Sequence, residues 1–182
     1  MSLQIQYKRG IPTMNKYDER IRDPRLYDRV VTADVAATWI ENGMTLGLSG
    51  FTRAGDAKAV PFALVERAKH DDFKVNVYTG ASLGSEIDRL FTEAGIVSKR
   101  LPFQADRTMR QGINEGELLF VDQHLSHTAE MLRAETIDSV DFAILEAVSI
   151  HENGLIIPTT SIGNSLSFAE NAKNVIVEIN MT

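Results

Sequence analysis

The sequence predicts an α/β fold, with an open, mostly parallel sheet and helices on both faces. Three observations carry that reading. Short apolar runs rich in β-branched residues alternate with stretches whose apolar residues recur every three to four positions, the pattern of βαβ units. Glycine-bearing loops stand where strands give way to helices. Neither an internal repeat nor a low-complexity linker breaks residues 20–182, which read as one domain. Residues 1–19 are set apart as an N-terminal extension, its opening Met-Ser-Leu reading as a leftover of recombinant expression.

In chain order, "TADVAATWIENG" predicts a helix with Thr32 as N-cap and Asp34 in the first turn, where a carboxylate complements the helix dipole. Val35 and Trp39, and Ala36 and Ile40, share a face, and Gly43 offers an end. "MTLGLS" is a short apolar strand. "AVPFALVERAKH" is helical, Pro61 being tolerable because it falls in the first turn. "FKVNVY" is a strand of β-branched and aromatic residues. After "TGAS" comes a helix in which Leu83, Ile87, Leu90, Phe91 and Ala94 keep helical spacing. Residues 99–135 yield only short pieces around "RLPFQ", "ELLFV" and "TAEMLRAE". "VDFAILEAVSI" reads as a buried strand, and Asn153-Gly154 between apolar runs signals a hairpin. "SFAENAK" is a short helix and "NVIVEI" a last strand.

Composition narrows the function classes. With 182 residues the chain is long enough for one domain with a real core. A net charge of −6 argues against nucleic acid or an anionic membrane as partner. The absence of cysteine excludes disulfides, thiolate nucleophiles and cysteine-based metal sites. No apolar run approaches the ~18 residues of a membrane span. The opening, with Asp18, Glu19 and Asp23 among its basic residues, fits neither a secretory signal nor a transit peptide, so the expected compartment is the cytoplasm.

The chemistry concentrates in "GLSGFTRAGDAKAVP", Gly47 to Pro61, which two motifs nearly fit. Gly50 and Gly55 have the spacing of a phosphate-binding loop, but Asp56-Ala57 replaces the lysine and hydroxyl pair, and Lys58 comes one residue late. Gly47-Leu48-Ser49-Gly50 begins a nucleophile elbow, but Phe51 stands where the strand-to-helix turn requires glycine. What remains is a strand, a glycine-bearing loop and a helix start, whose free N–H groups favour an anion or a carbonyl oxygen. A loop that merely turns the chain is the competing reading.

"SGFTRAGDAKAVP" resembles the glycine-rich first loop of coenzyme A transferases. "YTGASLGSEID", "RLPFQADRTMRQGINEGE", "DQHLSH", "VDFAILEAVSIHENGLIIPTTSIGNS" and "NVIVEIN" follow in the order of the acetyl-CoA hydrolase/transferase family, from about Arg20 to Asn180. The resemblance implies enzymes about twice this length, with two similar α/β domains and the active site between them. It also implies a nucleophilic glutamate in the C-terminal domain, which takes the acyl group as an anhydride and then forms a glutamyl-CoA thioester. This chain resembles the N-terminal domain, and none of its glutamates lies in the nucleophile's motif, so no catalytic residue is carried over.

Substrate- or CoA-site candidates are carried over by position: Gly50, Phe51, Thr52 and Gly55 in the first loop, Gly80 and Ser82 in "TGAS", and Gly163, Asn164 and Ser165 in "GNS". Ser82 matches a serine that helps hold a carboxylate or acyl oxygen, and as an alternative it caps the following helix. Asn164 or Ser165 equally suits a cap for "SFAENAK". Two departures stand out: Ala105 where relatives place a hydroxyl, and Asp56-Ala57 for an aromatic-proline pair.

Outside these motifs, His124 and His127 lack a well-spaced third ligand, and no metal is expected. Glu146 within "AILEAV" is either a paired structural carboxylate or a cleft group. Arg100, Arg107 and Arg110 are ion-pair partners, a solvated face or an anion site.

The leading expectation is the N-terminal domain of a CoA-transferase that moves CoA between acetyl- or succinyl-CoA and a short carboxylate. No permanent cofactor is expected, and the resemblance implies a homodimer. An acetyl-CoA hydrolase, a non-catalytic acyl-CoA-binding module and an α-like subunit with a separate catalytic chain stand as alternatives.

Overall fold

The computed structural model describes residues 2–7 and 19–181. Among them, nine strands form one sheet. They are β1 (Ser2–Tyr7), β2 (Val30–Thr32), β3 (Thr45–Leu48), β4 (Val75–Thr79), β5 (Val97–Leu101), β6 (Leu119–Phe120), β7 (Val140–Ile150), β8 (Ile156–Pro158) and β9 (Ala172–Ile179). The order is β2-β1-β9-β7-β3-β4-β5-β6, with every neighbouring pair parallel. β8 alone runs antiparallel, folded back on β7 through the turn that Asn153-Gly154 signalled.

Six helices connect the strands: α1 (Ala33–Thr38), α2 (Ala59–Arg67), α3 (Gly84–Glu93), α4 (Arg107–Glu115), α5 (His127–Arg133) and α6 (Ser165–Asn171). Strand side chains alternate between two cores. Leu46, Leu48, Val75, Val77, Phe142 and Ile144 face the first core, with Ile40, Leu64, Ile87, Phe91 and Met109 from the helical layer. Tyr78, Ala143, Leu145, Val175 and Val177 face the second, with Leu26, Leu132 and Phe168. Helices therefore cover both faces, as expected of a parallel sheet whose central strands are buried.

Local signals worked where they were strong. Thr32 Oγ1 accepts the Val35 N–H at 3.3 Å, as an N-cap should. α1 stops at Thr38 rather than Gly43, which at φ +85° turns the chain into β3 and donates to Lys74 O. α4 falls in the stretch that yielded only fragments. Asp106 caps it, accepting from Thr108 and Met109, and Gly116 closes it in the left-handed region. Arg107, Arg110, Gln111 and Glu115 face solvent, so few apolar residues mark its period.

The first strand departs from the sequence reading, which set residues 1–19 apart. Ser2–Tyr7 pairs along its whole length with Asn174–Ile179 of β9 and, from Ile5, with β2. Residues 1 and 8–18 of that extension lie outside the described residues. β9, which read as a last strand, is thus interior, between β1 and β7.

Candidate functional site

Chain order reverses between β3 and β7: β4, β5 and β6 lie to one side of β3, while β7 and β9 lie to the other. In open parallel sheets, the crevice beyond the strand ends at such a point is where ligands bind. The loop from Ser49 to Lys58 leaves β3 at this position.

Three glycines bring three loops into backbone contact there. A side chain on Gly80 would lie 2.8 Å from Gly50 O and 3.1 Å from Asn164 N. One on Gly163 would lie 3.1 Å from the same Gly50 oxygen. Gly50 and Gly163 are also held at positive φ, +119° and +49°. Thr52 N–H donates to Ser82 O at 3.2 Å, and Asn164 Nδ2 donates to Thr79 O at 3.3 Å. Gly55 packs against the backbone of Ser161. Eight of the nine residues carried over from the sequence therefore lie in loops that meet, and the ninth, Ser165, begins α6 directly after the third loop.

Within the first loop, Phe51 and Ala54 exchange both backbone hydrogen bonds around Thr52-Arg53, and both central residues are left-handed, at φ +50° and +75°. That turn prefers Asn-Gly, so the exposed tip is held against its residues' preference. At the base, Ser49 Oγ donates to Gly55 O at 2.7 Å and accepts N–H groups of Ala57 and Glu146. The elbow serine is thus a buried brace.

The helix start behind this loop is not free, contrary to the sequence reading. Glu178, reaching from β9, accepts the N–H groups of Lys58, Ala59 and Val60 at 2.8–2.9 Å. The protein's own carboxylate fills the anion site of α2. Lys58 is also engaged: its ammonium lies 2.9 Å from Glu86 and 3.7 Å from Asp56. The hydrogen bond to Glu86 raises its pKa.

The capping roles foreseen for Ser82, Asn164 and Ser165 do not occur. Leu83 stands at the cap of α3 without a side-chain bond, while Ser82 Oγ lies 2.9 Å from both Asp88 Oδ2 and Gln104 Oε1. Asn164 holds the cap position of α6 but spends its amide on the neighbouring loop. Ser165 Oγ is buried with no hydrogen-bond partner.

Among the described residues, two buried side-chain polar atoms lack a hydrogen bond, Ser165 Oγ and Asp56 Oδ2, and both belong to these loops. Burial pushes the Asp56 carboxyl above its ordinary range, with Lys58 opposing. Buried polar atoms without a hydrogen bond are few in native interiors, and each calls for a reason.

Sequence reasoning missed Glu178, Asp88 and Gln104. The signal for Glu178 was an acid inside the apolar run "NVIVEI". Glu146, half-buried at the base of the first loop, accepts from Thr159 at 2.7 Å and Asn180 at 3.0 Å. The three arginines do not gather: Arg100 is buried against Asp88, whereas Arg107 and Arg110 are exposed on α4. The His124 and His127 rings lie 5.5 Å apart on the surface, and no group of three metal-ligating side chains occurs among the described residues.

Comparison with known proteins matches this architecture. The acetyl-CoA hydrolase/transferase N-terminal domain family matches residues 14–182. The chain is 50% identical to a succinyl-CoA:acetate CoA-transferase of Clostridium kluyveri over 90% of its own length and 31% of the relative's. It is 34% identical to an acetyl-CoA hydrolase of Saccharomyces cerevisiae, over 91% of this chain and 34% of that protein. Among solved structures, glutaconate coenzyme A-transferase from Acidaminococcus fermentans superposes with a TM-score of 0.66 at 18% identity, covering 82% of this chain and 67% of that one. The chain spans about a third of the length of these curated relatives, so they exceed the doubling that the resemblance implied. No helix among the described residues is long and apolar enough to cross a membrane. The chain belongs to the acetyl-CoA hydrolase/transferase family, as its N-terminal domain.

Proposed function

We propose that this domain forms one wall of a CoA-transferase active site, in a protein that exchanges CoA between acetyl- or succinyl-CoA and a short carboxylate. The observation that carries the reading is the convergence of the Gly50, Gly80 and Gly163 loops at the β3/β7 reversal, with two buried polar atoms that lack a hydrogen bond, in a chain 50% identical to such a transferase. The nucleophile is a glutamate outside this chain. Its carboxylate attacks the acyl-CoA carbonyl and expels CoA thiolate, leaving a mixed anhydride. The thiolate attacks the glutamyl carbonyl, releasing the first carboxylate and leaving a glutamyl-CoA thioester, which the acceptor carboxylate resolves by the reverse steps. In that scheme Gly50, Phe51, Thr52, Gly55, Gly80, Ser82, Gly163, Asn164 and Ser165 line the substrate or CoA side. Close-packed glycine loops suit that role because they let backbone donors approach a developing oxyanion. CoA enters as substrate, the protein works in the cytoplasm, and it assembles as a homodimer.

The test is direct. Full-length protein incubated with succinyl-CoA and isotopically labelled acetate yields labelled acetyl-CoA, read by mass spectrometry. No labelled thioester with any short carboxylate acceptor would sink the proposal. Similarity to a yeast acetyl-CoA hydrolase supports a second reading, in which water resolves the thioester. Release of free CoA at the same rate with and without acceptor would favour it. Light scattering of the purified protein decides the dimer.

A further inference from the structure

Beneath the junction lies a buried ion pair that reaches one candidate position, Ser82, and holds the residues on either side of it in the Gly80–Leu83 turn. Arg100, on β5, and Asp88, in the second turn of α3, have side chains 0% and 1% exposed. Asp88 Oδ1 accepts from Arg100 Nε at 3.3 Å and Nη2 at 3.2 Å. Its Oδ2 accepts the Leu83 N–H at 2.7 Å and faces the Ser82 hydroxyl at 2.9 Å. Arg100 Nη2 also donates to Ala81 O at 3.2 Å, and Nη1 to Leu101 O. The carbonyl of residue 81, the hydroxyl of residue 82 and the N–H of residue 83 thus all end on one pair. Gln104, buried beside it, accepts the Asp106 N–H at 2.6 Å and lies 2.9 Å from Ser82 Oγ, tying the next loop to the same turn.

Stability alone does not account for such a pair. Removing two charges from water costs about what their attraction returns, and apolar residues of similar volume often serve as well. What an apolar pair lacks is direction, and here Asp88 Oδ2 and Arg100 Nη2 are both aimed at one turn, on Leu83 N–H and Ala81 O. The geometry points to Asp88 and Arg100 as positioning residues that fix the Gly80–Ser82 turn in its working conformation. This deepens, and rests on, the CoA-transfer reading of the site.

The experiment uses the full-length protein and two variants. Arg100→Lys keeps the charge opposite Asp88, but a single ammonium cannot also span Ala81 O and Leu101 O. Asp88→Leu/Arg100→Met removes both charges together and keeps apolar volume. Both are expected to stay folded, with melting temperatures close to wild type. Turnover is expected to fall about ten- to a hundred-fold, the usual effect of a misplaced site wall, with KM for acyl-CoA changing far less than kcat. Amide exchange supplies a readout independent of activity. Leu83 N–H is held by Asp88, and Thr52 N–H by Ser82 O, so both are expected to exchange about ten-fold faster while the core Val77 amide does not. Arg100→Lys with wild-type kcat and unchanged exchange at Leu83 and Thr52 would overturn the inference, even if the double variant failed to fold. If wild-type protein transfers no CoA, the functional reading fails, and the two amides still decide whether the pair positions the turn.

Discussion

Asp56 is buried with one carboxylate oxygen lacking a hydrogen bond, and desolvation raises its pKa from the ordinary 3.8. A raised folded-state pKa means that the proton binds more tightly in the folded state. Its contribution to stability is therefore full below the ordinary carboxylate range and is lost as pH rises through the raised value. Asp56→Asn is expected to raise the melting temperature at pH 7 by about 2–4 °C, an advantage that shrinks as pH falls towards 4. Thermal scans across pH check this, and a constant difference would refute it. Ser165 makes the complementary case. Ser165→Ala removes an orphaned buried hydroxyl and is expected to stabilise the fold by about 1 kcal/mol in denaturant titration, while lowering turnover of the full-length protein. A gain in stability with unchanged turnover would remove Ser165 from the site. Neither orphan was legible in the sequence, because an unsatisfied atom depends on what surrounds it. The residues carried over by motif were legible, since glycine at backbone contacts leaves a positional trace.

Elements were readable wherever one face was apolar, and unreadable where their hold on the fold is polar. Residues 140–150 announced β7 by an apolar run, whereas α4, with Met109 as its main core contact, did not announce itself. The start of α2 shows the deeper limit. Lys58 holds its cap position and makes no side-chain cap bond; the cap arrives instead from β9, well over a hundred residues later. Glu178→Ala leaves three N–H groups without acceptors, Val60's buried and those of Lys58 and Ala59 half-buried, and is expected to cost about 3 kcal/mol in denaturant titration, with Glu178→Gln costing less. Equal costs for both would show that packing, not the charge-assisted bonds, holds α2. Gly47, midway along β3, was read as part of a failed elbow, but its role is packing. A methyl there would lie 2.7 Å from Phe168 Cγ of α6. Gly47→Ala is expected to cost about 1–3 kcal/mol, partly recovered when combined with Phe168→Leu. Additive effects in that cycle would break the link between β3 and α6.

At the scale of the molecule, alternating elements and order-specific motifs were enough for the fold class, but strand order was not legible. Order depends on which edges pair, and a sheet this apolar offers few local clues to its neighbours. The largest consequence concerns β1. Residues 2–7 carry no signal that distinguishes them from a tail, yet their backbone lies between β2 and β9 and pairs with Asn174–Ile179 at every position. Without β1, β9 becomes a long, apolar open edge, the kind that pairs with other chains. β9 also carries Glu178, so loosening it loosens the start of α2 and the first loop of the site. A protein lacking residues 1–8 is therefore expected to lose more than about 4 °C in melting temperature, and to aggregate on heating where the intact chain stays soluble. Its β9 amides are expected to exchange faster while those of β4, on the far side of β3, keep their protection. An unchanged melting temperature with full β9 protection would show that the N-terminal strand is dispensable, and that the brace on the first loop is complete without it.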